Sequence, residues 1–131
     1  MGQTDSIKQY PFGRANAEND YRLFPDELED DEQVFFHGTA EANLESIVGG
    51  GFKIQGALPS VSFAKTSAVP LRYACEARSP ASPNGCVIAV RFGSVDRPGI
   101  ARESFGLHVY TFDPQPVVIG YCIVPADYVF R

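Results

Sequence analysis

The sequence predicts an α+β domain with mostly antiparallel strands, and two observations carry that expectation. Apolar and β-prone runs succeed one another as strand, helix, strand, helix and then three or four strands, so the helices come early and the strands cluster late. The chain also has 131 residues, 44% of them hydrophobic, which suits one domain able to bury a core without disulfide staples.

Residues 1–33 are polar and irregular and end in the acidic run "DELEDDEQ". They are expected to form an arm laid over the domain, anchored by Tyr10, Phe12, Tyr21, Leu23 and Phe24, with the acidic run as a solvated face. The domain proper is expected over residues 34–131. "QVFFHG" is rich in β-formers and too apolar for an exposed edge strand. Thr39 then fits the N-cap of a helix over residues 40–48, with Glu41 in its first turn and Leu44, Ile47 and Val48 on one apolar face. Gly49, Gly50 and Gly51 would cap its end, and Phe52 would close the hydrophobic contact. "SVSFA" is a short strand, and "TSAVPLRYACEARS" is helical with Pro70 in the first turn. "SPASPNG" is a turn-rich connection leading into "CVIAVRF", a central strand. "GSVDRPGIARESFG" reads as a long loop of the kind that often carries function. "LHVYTF" and "VVIGYCIVPADYVF" are the last strands, with Pro114 and Pro116 in the turn between them, and Tyr110 and Tyr121 assigned to the core.

The formal charge of −5 argues against a protein that grips nucleic acid through a basic face. A small anionic ligand stays compatible, because a few backbone N–H groups and one arginine can hold a diphosphate. Cys75, Cys86 and Cys122 are odd in number and contain no CxxC, which implies reduced thiols in a cytoplasmic setting and neither a disulfide frame nor a zinc site. No apolar run is long enough for a membrane span. "MGQTDS" places Gly2 and Ser6 at the spacing of an N-myristoylation signal, which matters only in a eukaryotic cell and has chance as its bland reading.

Histidine occurs only at His37 and His108. His37 ends a buried strand, Gly38 lacks a side chain and so lets a ligand approach the backbone, and a helix N-terminus follows. The bland alternative is a strand-end histidine satisfied by local backbone.

Two later segments bear on that choice. "SVSFAKTSAVPLRYA" resembles the "GxYFA…S…SANY" segment that follows the His-Gly motif in poly(ADP-ribose) polymerases, with Ser62-Phe63-Ala64 on Tyr-Phe-Ala and Tyr73 on the tyrosine that stacks on nicotinamide. "YTFDPQPVVIGYCIV" resembles the same family's "EYIVYDxxQVxxxYLL", with Phe112-Asp113 on its Tyr-Asp and Tyr121 on its final tyrosine. Over residues 34–130 the chain thus resembles the ADP-ribosyltransferase superfamily. It is also similar to the RNA 2′-phosphotransferases in "HGT…SI…GF" and the late "VPxxYV", but the arginine and histidine they would need near "ALPSVSF" are missing.

The resemblance implies a split β-sandwich with an NAD crevice and a mono-ADP-ribosyltransferase activity that breaks the nicotinamide–ribose bond. ADP-ribose would pass to a protein or nucleic-acid acceptor, or to water. It assigns His37 to the ribose, the Gly38 backbone to the nicotinamide carboxamide, Thr39 to the adenosine side and Tyr73 to ring stacking, with Ser62 and Phe63 beside the cofactor. The triad His–Tyr–Glu becomes His37–Ser62–His108. An imidazole at the third place cannot copy a carboxylate, since its protonated form would repel a cationic transition state, so chain elongation is not expected. Glu103 is the local substitute for that carboxylate, and the bland reading of His108 is a solvent-facing strand residue. Ser67 is a further carboxamide candidate, because Pro70 occupies the place of the family's nicotinamide-binding serine. Arg72, Arg78, Arg91, Arg97 and Arg102 are candidates for a diphosphate, against the default of exposed arginine. A catalytically silent nucleotide- or partner-binding module of the same fold is the rival reading.

Overall fold

The run "CVIAVRF" becomes the centre of the sheet. As β4 (Gly85–Arg91) it is buried at every position but Arg91, as its unbroken β-branched and apolar composition requires. The computed structural model describes residues 7–54 and 58–130. β4 pairs antiparallel with β2 (Val34–Ala40) on one side and β7 (Val117–Val124) on the other. Four shorter strands complete the sheet: β1 (Lys8–Tyr10), β3 (Val61–Ala64), β5 (Ile100–Arg102) and β6 (Gly106–Val109), in the order β1-β7-β4-β2-β3-β6-β5. Among the described strands only the β1–β7 pair is parallel. The fold is α+β, with a seven-stranded, mostly antiparallel sheet and few short helices.

Separate packed sheets were expected, and one seven-stranded sheet is found, but its two halves are barely joined. β2 and β3 share a single registered pair, Phe36 with Ala64, whereas β2 runs beside β4 for its whole length. This weak seam is where the candidate site lies.

Each sheet face carries its own core. On one face Phe36, Val87, Ala89, Cys122 and Val124 pack with Leu71 and Ala74 of α3 (Ala68–Glu76) and with Leu23 and Phe24. On the other, Phe35, Ile88, Val90, Phe63 and Leu107 pack with Phe52 and the apolar side of α2 (Leu44–Gly50). α3 sits unusually close to the sheet because Gly38 on β2 and Gly85 on β4 lie beneath it; a Cβ on either would fall within 2.3 Å of a backbone oxygen of α3.

Several expectations are corrected. Residues 7–33 are not an irregular arm: they supply edge strand β1, a 3₁₀ turn at Ala17–Asn19 and α1 (Asp26–Glu29). The anchors are real, with Leu23 and Phe24 buried and Tyr10, Phe12 and Tyr21 packed against them. Among the described residues there are three short α-helices, where two were expected. The acidic run is only partly a solvated face, because Glu29 is 2% exposed. Thr39 does not cap α2; β2 continues to Ala40 and a 3₁₀ turn, Glu41–Asn43, precedes the helix. α2 does end on the glycines, with Gly51 at φ 83° and its N–H donating to Ile47 O. The long loop after β4 contains β5, which forms a hairpin with β6. Tyr110 is exposed at the end of β6, not core, and the partly buried Tyr121 reaches Gln9 through its hydroxyl at 3.3 Å.

Among the described residues no helix is long and apolar enough to cross a membrane. Gly2 and the myristoylation pattern lie outside the described residues.

Candidate functional site

At the seam between the sheet halves, β2 and β3 part after the Phe36–Ala64 pair, and a side chain takes over from the backbone ladder. His37 Nδ1–H donates to the Ser62 carbonyl at 2.9 Å. That carbonyl can only accept, so the proton is on Nδ1 in the neutral ring, and Nε2 is left as an acceptor. The ring is held edge-on by Phe52 and tilted by Phe63, each with its centroid at 5.4 Å. Phe52 is itself pinned by Gln115, whose amide brackets the Phe52 backbone with bonds of 3.0 and 2.8 Å.

A cavity of about 650 Å³ opens here between α3 and the sheet. His37, Gly38, Thr39, Ser62 and Tyr73 all line it, so five of the predicted site residues converge on one space. Its size is that of an ordinary small-ligand site. Tyr73 is 57% exposed on α3, which removes it from the core and leaves its ring available for stacking. Thr39 Oγ1 accepts from Asn43 Nδ2 at 2.9 Å.

Ser62 and His108 are registered partners across the β3–β6 ladder, and Ser62 Oγ lies 3.1 Å from His108 Nδ1. His108 does not line the cavity itself; it joins the site through Ser62. Phe105, at the β5–β6 turn, does line it and packs edge-on against the His108 ring at 5.2 Å.

Other candidates fall elsewhere. Phe63 is fully buried, does not line the cavity, and acts as backing for His37 and Phe52. Ser67 is fully buried and bonded to Glu29 and Leu23, which takes it out of reach of a carboxamide. Glu103 lies at the β5–β6 turn and lines a different cavity, with Lys65, Glu32 and Arg102.

The five arginines all have partners. Arg78 Nη1 donates to three carbonyls near the C-terminus, at Pro125, Ala126 and Tyr128. Arg97 binds the carbonyls of Pro98, Thr111 and Pro114. Arg72, Arg91 and Arg102 pair with Glu76, Asp31 and Asp96. The basic residue that lines the cavity is Lys53, which the sequence did not single out. It follows α2 closely, and nothing near it in the chain marks it as a cavity residue.

Burial pushes the His37 pKa below the ordinary histidine value, and the Ser62 carbonyl only partly offsets this. The unfolded chain takes up this proton near pH 6.5 or so, about the free histidine value, and the folded chain at lower pH. Below that value the unfolded state binds more protons, so stability falls as pH drops towards the folded pKa. His37→Gln keeps a donor for Ser62 and removes the titration. The wild-type melting temperature should therefore fall faster between about pH 7 and pH 5 than that of His37→Gln. Parallel curves would show that His37 is not the linked group.

Compared with protein-family models, curated proteins and solved structures, the chain matches none.

Proposed function

We propose that the chain is an NAD-dependent mono-ADP-ribosyltransferase, cleaving the nicotinamide–ribose bond and passing ADP-ribose to a macromolecular acceptor or to water. The observation that carries this reading is the convergence of His37, Gly38, Ser62 and Tyr73 on one cavity at the seam. On this reading the seam of the sheet is the cleft of an ADP-ribosyltransferase-like split β-sandwich. His37, neutral and oriented by Ser62, presents Nε2 to a ribose hydroxyl. Tyr73 stacks on the nicotinamide ring, the Gly38 backbone meets the carboxamide, and Lys53 is the counter-charge for the diphosphate. Nicotinamide leaves as a neutral base from a ring that is already cationic, so positioning supplies much of the rate.

The rival, a silent module that binds nucleotide without turnover, is favoured by one observation. Ser62 and His108 stand where the resemblance asks for tyrosine and glutamate, and they bond each other.

Incubation with labelled NAD, alone and with cell lysate, separates the two. Nicotinamide release with a labelled macromolecule or free ADP-ribose supports the transferase. Measurable NAD binding without release supports the silent module, and no binding at all overturns both.

Tyr73 gives a sharper check on the binding mode. Tyr73→Phe should keep NAD affinity, while Tyr73→Ala should lose roughly 1 kcal/mol of it, with little change in melting temperature because the side chain is exposed. Unchanged affinity in Tyr73→Ala would remove the stacking role.

A further inference from the structure

We propose that Ser62 and His108 are a nucleophile–base pair, and that Ser62 Oγ carries ADP-ribose covalently before the final acceptor does. This inference rests on the NAD reading above and adds a chemical step to it.

The geometry sets a hydroxyl beside an imidazole nitrogen, which can take its proton in the tautomer that carries hydrogen on Nε2. Ser62 Oγ and His108 Nδ1 are 3.1 Å apart, within the range over which a base can take a proton from a nucleophile. Their separation is set by the sheet, because the two residues oppose each other in the β3–β6 ladder and so project from the same face. Ser62 is exposed and lines the cavity shared with His37 and Tyr73. Its backbone is pinned from the other side, where the carbonyl accepts from His37 Nδ1. Phe105 packs edge-on against the His108 ring while also lining the cavity. A purely structural serine would have little use for a position that is both open to the cavity and bonded to an imidazole.

In the first step the Ser62 Oγ–C1″ bond forms as the bond from C1″ to the nicotinamide nitrogen breaks. Nicotinamide leaves with that electron pair as a neutral molecule, and the serine proton passes to His108 Nδ1. In the second step an acceptor hydroxyl or water attacks C1″, the Ser62 oxygen leaves and recovers its proton from His108, and the acceptor's proton goes to solvent. Two displacements at one carbon return the original configuration, so a β-linked substrate gives a β-linked product. A single displacement would give the α product.

The full-length chain is mixed with NAD and quenched in acid, and its intact mass and peptide map are read. A second sample turns over in methanol, and the anomeric configuration of the methyl product is determined by NMR. The expected result is one ADP-ribosyl group on Ser62 and a β-methyl product. Ser62→Ala should form no adduct, and its melting temperature should stay near wild type because the residue is exposed. His108→Ala should form the adduct roughly 100-fold or more slowly, with NAD affinity by calorimetry close to wild type. Nicotinamide release with an α product and no adduct on Ser62 overturns this inference and leaves the transferase reading standing. NAD binding with no nicotinamide release overturns both.

Discussion

Gly38→Val should fail to give a folded domain, and Gly38→Ala alone should cost about 3 kcal/mol or more. A Cβ at this position would lie 2.0 Å from Pro70 O, 2.8 Å from Pro70 C and 3.0 Å from Ala74 N. All three are backbone atoms of α3, so no rotamer change relieves the overlap and the helix must lift as a body. Lifting it would open the packing of Leu71 and Ala74, both fully buried, against Phe36 and Val87. Gly85 gives the same result from the next strand, since its Cβ would be 2.3 Å from Ala74 O. Denaturant unfolding of Gly38→Ala, Gly85→Ala and wild type measures this directly. A wild-type midpoint for Gly38→Ala would mean that α3 does not approach this closely. The glycine is thus accounted for by helix packing, with no need of room for a ligand. A valine at this site therefore cannot serve as a clean test of the proposed nucleotide site, and Tyr73, exposed on α3, is the better probe.

Glu29→Ala is the second large effect, expected at about 3 kcal/mol. The carboxylate is buried and accepts from the Ser67 N–H at 3.0 Å, the Ser67 hydroxyl at 2.5 Å and the Phe24 N–H at 3.3 Å. Ser67 Oγ in turn accepts from the Leu23 N–H at 3.0 Å. Two buried backbone donors would lose their acceptor in the alanine variant, in a space too enclosed for bulk water to replace it. The carboxylate also sits at the start of α3, where a negative charge meets the positive end of the helix dipole. Glu27, two residues earlier and exposed, is the control; its alanine variant should stay within about 0.5 kcal/mol of wild type. Equal midpoints for Glu27→Ala and Glu29→Ala would show that the buried network contributes nothing. Because α3 carries Tyr73 and borders the cavity, a loosened α3 start should weaken ligand binding together with stability.

The legible parts of the fold were those decided within a few residues. β4 declared itself through an unbroken β-prone run, α2 through its glycine stop, and α3 through a proline three residues into the helix. Five candidate residues line one cavity, Ser62 is paired with His108 across the β3–β6 ladder, and Tyr73 is exposed. Phe63 was placed beside the cofactor by the resemblance alone, which says nothing of what its strand packs against. It proved to be packing behind His37. Thr39 was misjudged because β2 gains ladder bonds to Cys86 and Gly85 at Thr39 and Ala40, which outweigh a local cap.

His37, expected at the end of its strand, lies inside β2. What the sequence determined by itself is the α+β class, most of the strands and the two longer helices. Those follow from periodicity, turn chemistry and propensity, which act over short stretches of chain. The tertiary structure alone decided that Glu29 leaves an acidic run to become buried beside Ser67, 38 residues on, and that Arg78 is consumed by carbonyls near the C-terminus. It also decided that Lys53 faces the cavity and Glu103 does not, and that the two halves of the sheet meet at one pair. The physical reason is common to all of these. Burial, ion pairing and cavity lining depend on which remote segment arrives opposite a residue, and in a sheet whose strand order departs from chain order that neighbour is not written nearby.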